Sequence, residues 1–439
     1  MLAAVRSPCR RGAAVASNAI RHPRSSFATA VDVGGLKVAT VDNGQPSASV
    51  TVLVKAGSRY ESKPGVAHFL KNFAFKNTAD RSALRIARES EYYGGVLSSS
   101  LGREHLALTA EFLKGDEAFF VDVLSSILTS TRFTPHEFAE SVLPSVQAES
   151  SEAAHDPALT AVEIAHALAF RKGLGSSLFA SPAGPTVTPE DVKAFASSAF
   201  SKSGISILGT GIDSSVLAKL VEKSLSSLPA SGSSGAASVA TKSHGGESRV
   251  LAETHGTQTV FVGYGSVGAP SPELSVLAAH LSASPSVKWS DGTSSTFTNL
   301  PQGSKVQTVL LPYSDATLFG FLVQAPTSEG VLQAGKAVVA GLKEASGSSS
   351  IRPEAWKKAV AKAKFAAATA LDTRQGLLDA IALQTITGAK ADVQSTFASI
   401  EKVSAQSAAS TLSKLTKSKP VYVAIGDIQS LPYADELGL

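Results

Sequence analysis

Two stretches of this 439-residue chain run alike, and that likeness constrains the fold more than any single motif. After apolar residues at Leu106, Leu108, Ala110 and Phe112 on one strand face, the first passes through a helical pattern to Phe133-Thr134-Pro135-His136-Glu137-Phe138. A long helical tract and Gly173 follow. After Leu318, Gly320, Leu322 and Gln324, the second reaches Ile351-Arg352-Pro353-Glu354-Ala355-Trp356, another long helical tract and Gly388. The offset stays near about 215 residues, the size of a domain, which predicts a duplicated domain rather than two unrelated ones. A chain this long also exceeds what one ordinary core accommodates.

Each half reads as strand, strand, helix, helix, strand, strand, several helices and a final strand pair. That order predicts an α+β fold of two homologous domains, each an antiparallel sheet covered by helices. Asp42-Asn43-Gly44 is a hairpin signal between Leu36–Val41 and Ser49–Val54. Pro135 and Pro353 stand near helix starts, where a missing amide donor costs little. Residues 230–247, rich in Gly and Ser, read as a flexible linker between a first domain at 28–229 and a second at 248–439.

The N-terminus has a composition of its own. Arg6, Arg10, Arg11, Arg21 and Arg24 precede the first acid, Asp32, amid Ala and Ser, and no apolar run of secretory type follows. This is the composition of a mitochondrial transit peptide, expected to end near Phe27 and so to occupy 1–27. Without it the formal charge falls from +4 to about −1, which removes the basic face that a nucleic-acid partner would require. Cys9, the only cysteine, leaves with the same segment. A body without cysteine offers no disulfide, thiolate nucleophile, cysteine-ligated cluster or thioether-linked haem. No uncharged apolar stretch reaches the roughly 18 residues needed to span a bilayer, so membrane association would run through a partner.

The chemically telling segment is Gly65-Val66-Ala67-His68-Phe69-Leu70-Lys71-Asn72-Phe73. In an inverted zinc motif, His-x-x-Glu-His, two histidines one helical turn apart meet a metal and the glutamate activates its water. Here His68 holds the first place, Lys71 stands where the base would be, and Asn72 where the second ligand would be. The three share one helical face by the i, i+3, i+4 rule. An ammonium cannot accept a proton and repels Zn²⁺, and a carboxamide is a poor zinc ligand beside an imidazole.

With Ala56-Gly57-Ser58-Arg59-Tyr60-Glu61 before it and Ala74-Phe75-Lys76-Asn77-Thr78 after it, this segment resembles the pitrilysin-like family. That family includes the mitochondrial processing peptidases and the core proteins of the cytochrome bc1 complex. The resemblance implies a third ligand, a glutamate, and the family's interval counted from Asn72 lands on Glu149. His68, Lys71, Asn72 and Glu149 would then be the positions of a vestigial zinc site, with no catalytic residue, metal or cofactor. Read for local chemistry alone, His68 is a hydrogen-bonded structural histidine and Glu149 a solvated or capping carboxylate. Lys71 snorkels to water or pairs with an acid such as Glu149. In the second half the place of Glu149 falls on about Ala367, and no zinc helix appears there.

Other motifs are weaker. Gly263-Tyr264-Gly265-Ser266-Val267-Gly268 lacks dinucleotide-site spacing and reads as a strand edge or turn. His105, His136, His155 and His166 are dispersed without paired ligand spacing. Within the family, Lys288-Trp289-Ser290-Asp291-Gly292-Thr293 and the ending Ala424–Leu437 are similar to the bc1 core-protein branch. The region 284–295 lacks the glycine cluster of the non-catalytic processing-peptidase subunit. The resemblance therefore implies a non-catalytic structural subunit of ubiquinol–cytochrome c reductase, respiratory complex III, supporting its assembly and stability. It would sit peripherally on the matrix side of the mitochondrial inner membrane, paired with core protein 1 and touching cytochrome b, cytochrome c1 and other bc1 subunits. The alternative is the presequence-binding, non-catalytic subunit of the processing peptidase.

Overall fold

The computed structural model describes residues 29–439 apart from 43, 182–185, 232–239, 253–255, 283–296, 298–299, 348–350 and 388–392. The expected leader at 1–27, the middle of the 230–247 linker, the Lys288–Thr293 motif and Gly388 lie outside the described residues. The first half contains strands β1 Thr29–Val33, β2 Leu36–Val41, β3 Ser47–Val54, β4 Val96–Leu101, β5 Leu106–Leu113 and β6 Ile205–Thr210. Its helices are α1 Val66–Phe73, α2 Ala83–Tyr92, α3 Glu117–Ser130, α4 Pro135–Glu137, α5 Leu143–His155, α6 Pro157–Phe170, α7 Pro189–Ala199 and α8 Ser214–Ser224. The second half contains β7 Gly246–Leu251, β8 Gln258–Val267, β9 Lys305–Pro312, β10 Ala316–Ala325 and β11 Val421–Gly426. Its helices are α9 Pro272–His280, α10 Ser328–Ser346, α11 Pro353–Asp372, α12 Arg374–Thr387, α13 Val393–Glu401 and α14 Ala405–Thr416. Pro135 and Pro353 occupy the first positions of α4 and α11, where proline's fixed φ suits a helix start.

Each half has one sheet, ordered β1-β2-β6-β3-β5-β4 in the first and β7-β11-β8-β10-β9 in the second. The fold is the expected α+β arrangement, and the pairing is antiparallel except that β2 runs parallel to β6 and β7 parallel to β11. Two local expectations are corrected. Each half closes with a single strand, not a pair, and β2 and β3 form no hairpin, because β6 lies between them and pairs with both. The turn chemistry is present, with Gly44 at φ +70° and its amide donating to Asp42. Burial overrides it: β6 is buried at Ile205, Ser206, Ile207 and Leu208, and β11 along its whole length. Strands buried on both faces belong in the middle of a sheet, since an edge would leave them open.

One core fills the space between each sheet and the helices of its own half. In the first, Val52, Leu108 and Phe112 meet Phe69, Phe73, Phe120 and Leu124. In the second, Val260, Phe321 and Val323 meet Leu277, Val338, Leu342 and Leu412. The opposite sheet faces are covered by exchange. α6 of the first half lays Ala161, Ala165, Ala169 and Phe170 on Leu318, Leu322, Val421, Val423 and Ile425 of the second sheet. α12 of the second half lays Leu377, Leu378 and Ile381 on Ala39, Leu53, Ala107 and Leu208 of the first. Alanines at i, i+4 and i+8 bring α6 close, and Gly265 completes the fit, since a Cβ there would stand 3.0 Å from the Phe170 ring.

A buried polar clasp joins the halves beside these helices. Arg59 Nη1 lies 2.7 Å from Glu104 Oε1 and 2.6 Å from Asp315 Oδ1, and Arg59 Nη2 lies 2.7 Å from Asp315 Oδ2. Glu104 also accepts the Ser314 amide, and Asp315 accepts the amide and hydroxyl of Thr241. Nearby, Arg103 pairs with Glu163 of α6 and donates to Leu174 O. Bidentate guanidinium pairing of this kind fixes orientation as well as charge.

Candidate functional site

α1 begins sharply at Gly65, whose φ of +88° and close neighbour both demand glycine: a Cβ there would stand 2.9 Å from Ala180 Cβ. The Gly65 amide donates to Glu61 at 3.0 Å, and burial pushes the Glu61 carboxyl up to about 7 against the pull of those amide bonds. From that start α1 buries Val66, Ala67, Phe69, Leu70 and Phe73 in the first core. The i, i+3, i+4 face carrying His68, Lys71 and Asn72 turns toward α5. α5 is reached through a π turn, Phe138–Val142, and holds Glu149 between the buried Val146 and Ala153.

The four positions singled out in the sequence meet at one point. Lys71 Nζ is 2.7 Å from both Glu149 Oε1 and Glu149 Oε2. His68 Nε2 is 2.6 Å from Glu149 Oε2, and Asn72 Nδ2 donates to the same oxygen at 3.3 Å and to His68 O at 3.2 Å. The other imidazole nitrogen, Nδ1, accepts the Ala180 amide at 3.1 Å, which assigns the proton to Nε2 and makes it the donor to Glu149. Phe179 closes the site with an edge contact to the His68 ring at 5.6 Å between centroids.

The electrostatics follow from this geometry. Burial pulls the His68 imidazole below its ordinary pKa, opposed by Glu149 and reinforced by Lys71, so the ring is neutral at neutral pH. Burial raises the Glu149 carboxyl, but the hydrogen bonds from Lys71 and His68 outweigh it and hold the group below the ordinary glutamate value.

These residues do not fit a zinc ion. The donor set is one imidazole and one carboxylate, the imidazole nitrogen facing the site carries a proton, and an ammonium already contacts both carboxylate oxygens. Among the described residues, no three His, Cys, Asp or Glu side chains converge to hold a metal. The cluster instead ties α1 to α5 by charge-assisted hydrogen bonds.

The remaining histidines stay apart. His105 Nε2 lies 3.6 Å from Asp379 of α12, while His136 and His155 are exposed. His166 is buried, its Nδ1 donating to Val162 O at 2.7 Å and its Nε2 accepting the Tyr313 hydroxyl at 2.7 Å across the two halves. Burial, with Arg103 nearby, drives its pKa down to about 3. Gly263 and Gly265 lie within β8, and Ala367 packs against the second core. The clasp of Arg59, Glu104 and Asp315 had no signal in the sequence beyond Arg59's place just before α1. Its partners are up to 256 residues apart along the chain.

Comparison with known proteins agrees with this frame. The family described as Insulinase (Peptidase family M16) matches residues 37–181. The chain is 43% identical over 438 residues to the cytochrome b-c1 complex subunit 2, mitochondrial, of Cryptococcus neoformans, covering 98% of each. It is 35% identical over 433 residues to the protein of that name in Yarrowia lipolytica, covering 97% of this chain and 99% of the relative. It is 30% identical over 312 residues to the human protein, covering 68% of each. A likeness that runs through both halves, with the insulinase-type family model matching the first, makes the chain a member of the mitochondrial cytochrome b-c1 complex subunit 2 family.

Proposed function

We propose that the chain serves as a non-catalytic structural core subunit of ubiquinol–cytochrome c reductase, respiratory complex III, where it supports assembly and stability. The observation that carries the non-catalytic reading is the Lys71 ammonium on both oxygens of Glu149. A peptidase needs a base and an open metal position there. His68, Lys71, Asn72 and Glu149 are read as a zinc site that has become a structural salt bridge. The chain has no cysteine beyond Cys9 with which to ligate a cluster, and the reading assigns it no haem, quinone or iron–sulfur group.

Residues 1–27 are read as a mitochondrial leader, and 28–229 and 248–439 as the duplicated domains joined by 230–247. No helix among the described residues is long and apolar enough to cross a membrane. In this reading the chain is peripheral, on the matrix side of the inner membrane, held by core protein 1, cytochrome b and cytochrome c1.

Deleting the gene and examining mitochondrial membranes tests the proposal. Less assembled complex, with normal haem spectra in what remains, is the expected result. Unchanged complex abundance with accumulation of uncleaved precursors would replace this reading with that of a presequence-binding peptidase subunit.

A further inference from the structure

An open cavity of about 380 Å³ lies between the start of α2 and α3, within the range of small-molecule sites, roughly 300–1,000 Å³. It is separate from the His68–Glu149 cluster and from the clasp between the halves. Asp80, Arg81 and Arg85 line it from the turn before α2 and the first turn of that helix. Asp122, Ser125, Ser126 and Thr129 line it from one face of α3, at i, i+3, i+4 and i+7. The turn that carries Asp80 is pinned. Thr78 bridges to Thr131, the Ala79 amide donates to Ser130 O at 2.9 Å, and the Asn77 side chain accepts the Ala83 amide at 2.6 Å. Asp80 is therefore held beside the end of α3 in advance, which lowers the ordering cost of binding.

Counting the hydrogen bonds shows what the cavity still offers. Glu89 is spent on Arg81 Nε at 3.1 Å and on Arg85 Nε at 2.6 Å, and one Asp122 oxygen is spent on Arg81 Nη2 at 2.8 Å. Ser125, Ser126 and Thr129 donate to Asp122 O, Val123 O and Ser125 O inside α3, so toward the cavity they present lone pairs. Among the described residues, both Nη groups of Arg85, the Asp80 carboxylate and the second Asp122 oxygen have no partner. One side is thus a guanidinium fork, the natural partner of a carboxylate. The other is a set of acceptors at the C-terminal part of α3, where the helix dipole also favours a cation. A lone anion would meet Asp80 and Asp122, and a lone cation would meet Arg85. A small molecule that carries both charges a few bonds apart satisfies both sides.

We propose that this cavity binds a small α-amino acid as its zwitterion, with the carboxylate on the Arg85 fork and the ammonium on Asp80, Asp122 and the hydroxyl oxygens of α3. The site is independent of the assembly reading above, since every residue in it belongs to the first half of this chain.

Saturation-transfer NMR on the full-length protein, in the particle with which it purifies, tests this with L-alanine as the probe. A saturable signal is expected, with a Kd on the order of 1 mM for so small a ligand. Arg85→Gln and Asp80→Asn should each weaken it about tenfold or more, the effect of losing a charge-assisted hydrogen bond. Both residues are exposed, so the fold should survive these changes. Thr129→Leu keeps every charge and fills the cavity, and should abolish the signal. Acetate and methylamine, each with one of the two charges, should bind about tenfold more weakly than alanine or worse. The proposal is overturned if the unmodified protein gives no saturable alanine signal, or if that signal is unchanged in Arg85→Gln or Thr129→Leu. Acetate binding as tightly as alanine would make the cavity a plain anion site, and methylamine doing so would make it a plain cation site.

Discussion

The ammonium of Lys71 lies 2.7 Å from each carboxylate oxygen of Glu149, with the protonated Nε2 of His68 at 2.6 Å from one of them. Positive charge and hydrogen-bond donors thus saturate a carboxylate that would otherwise be free to bind a metal. The same contacts bridge α1 and α5, so the cluster has a mechanical role.

Purified protein should carry far less than one zinc per chain. Lys71→Glu combined with Asn72→His supplies the missing base and ligand, and should raise zinc affinity before any proteolysis emerges. Elemental analysis after gel filtration checks both. A tightly held zinc in the unmodified chain that disappears in His68→Ala would refute the structural salt-bridge reading.

Lys71→Met should destabilise the chain by about 1 kcal/mol, a modest figure because Glu149 is about a third exposed and its charge is partly screened. The folded-state pKa of Glu149 lies below its ordinary 4.5. Its contribution is therefore complete above pH 4.5 and is lost as pH falls through the folded value. Urea midpoints of parent and variant should converge in that acidic range. A gap that persists after Glu149 is protonated would assign the effect to lost packing.

His166 should make stability fall with acid from a higher pH. Its folded pKa of about 3 lies below the ordinary 6.5, so the folded state binds its proton less readily than the unfolded one. Its contribution is full above pH 6.5 and is lost as pH falls toward about 3, at up to roughly 1.4 kcal/mol per pH unit for one proton. His166→Phe cannot titrate and should lose less stability over that window, whatever its starting value. A urea-midpoint slope as steep as the parent's between pH 6.5 and 4 would exclude the role.

Arg59→Met should cost about 3–5 kcal/mol, because it leaves Glu104 and Asp315 as uncompensated carboxylates at the junction of the halves. Adding Glu104→Gln and Asp315→Asn should recover much of that loss. Chemical denaturation of the three-site variant decides the point: no recovery would mean that Arg59 acts mainly through its packed stem.

What the sequence determined is what nearby residues encode. The i, i+3, i+4 spacing placed His68, Lys71 and Asn72 on one face of α1, the prolines marked the starts of α4 and α11, and apolar alternation outlined β5 and β10. The duplicated order of these signals was enough for the α+β class. Choosing which elements touch was another matter. The turn at Asp42 and Gly44 is locally sound, yet β2 and β3 are separated by β6, which lies far along the chain and is buried on both faces. The alanine stripe of α6 says that it packs closely, and only the tertiary structure shows that its partner is the sheet of the other half. Arg59 and Asp315 meet for the same reason. Local periodicity follows from backbone geometry a few residues at a time, whereas pairing between distant elements depends on burying apolar surface over the whole chain at once.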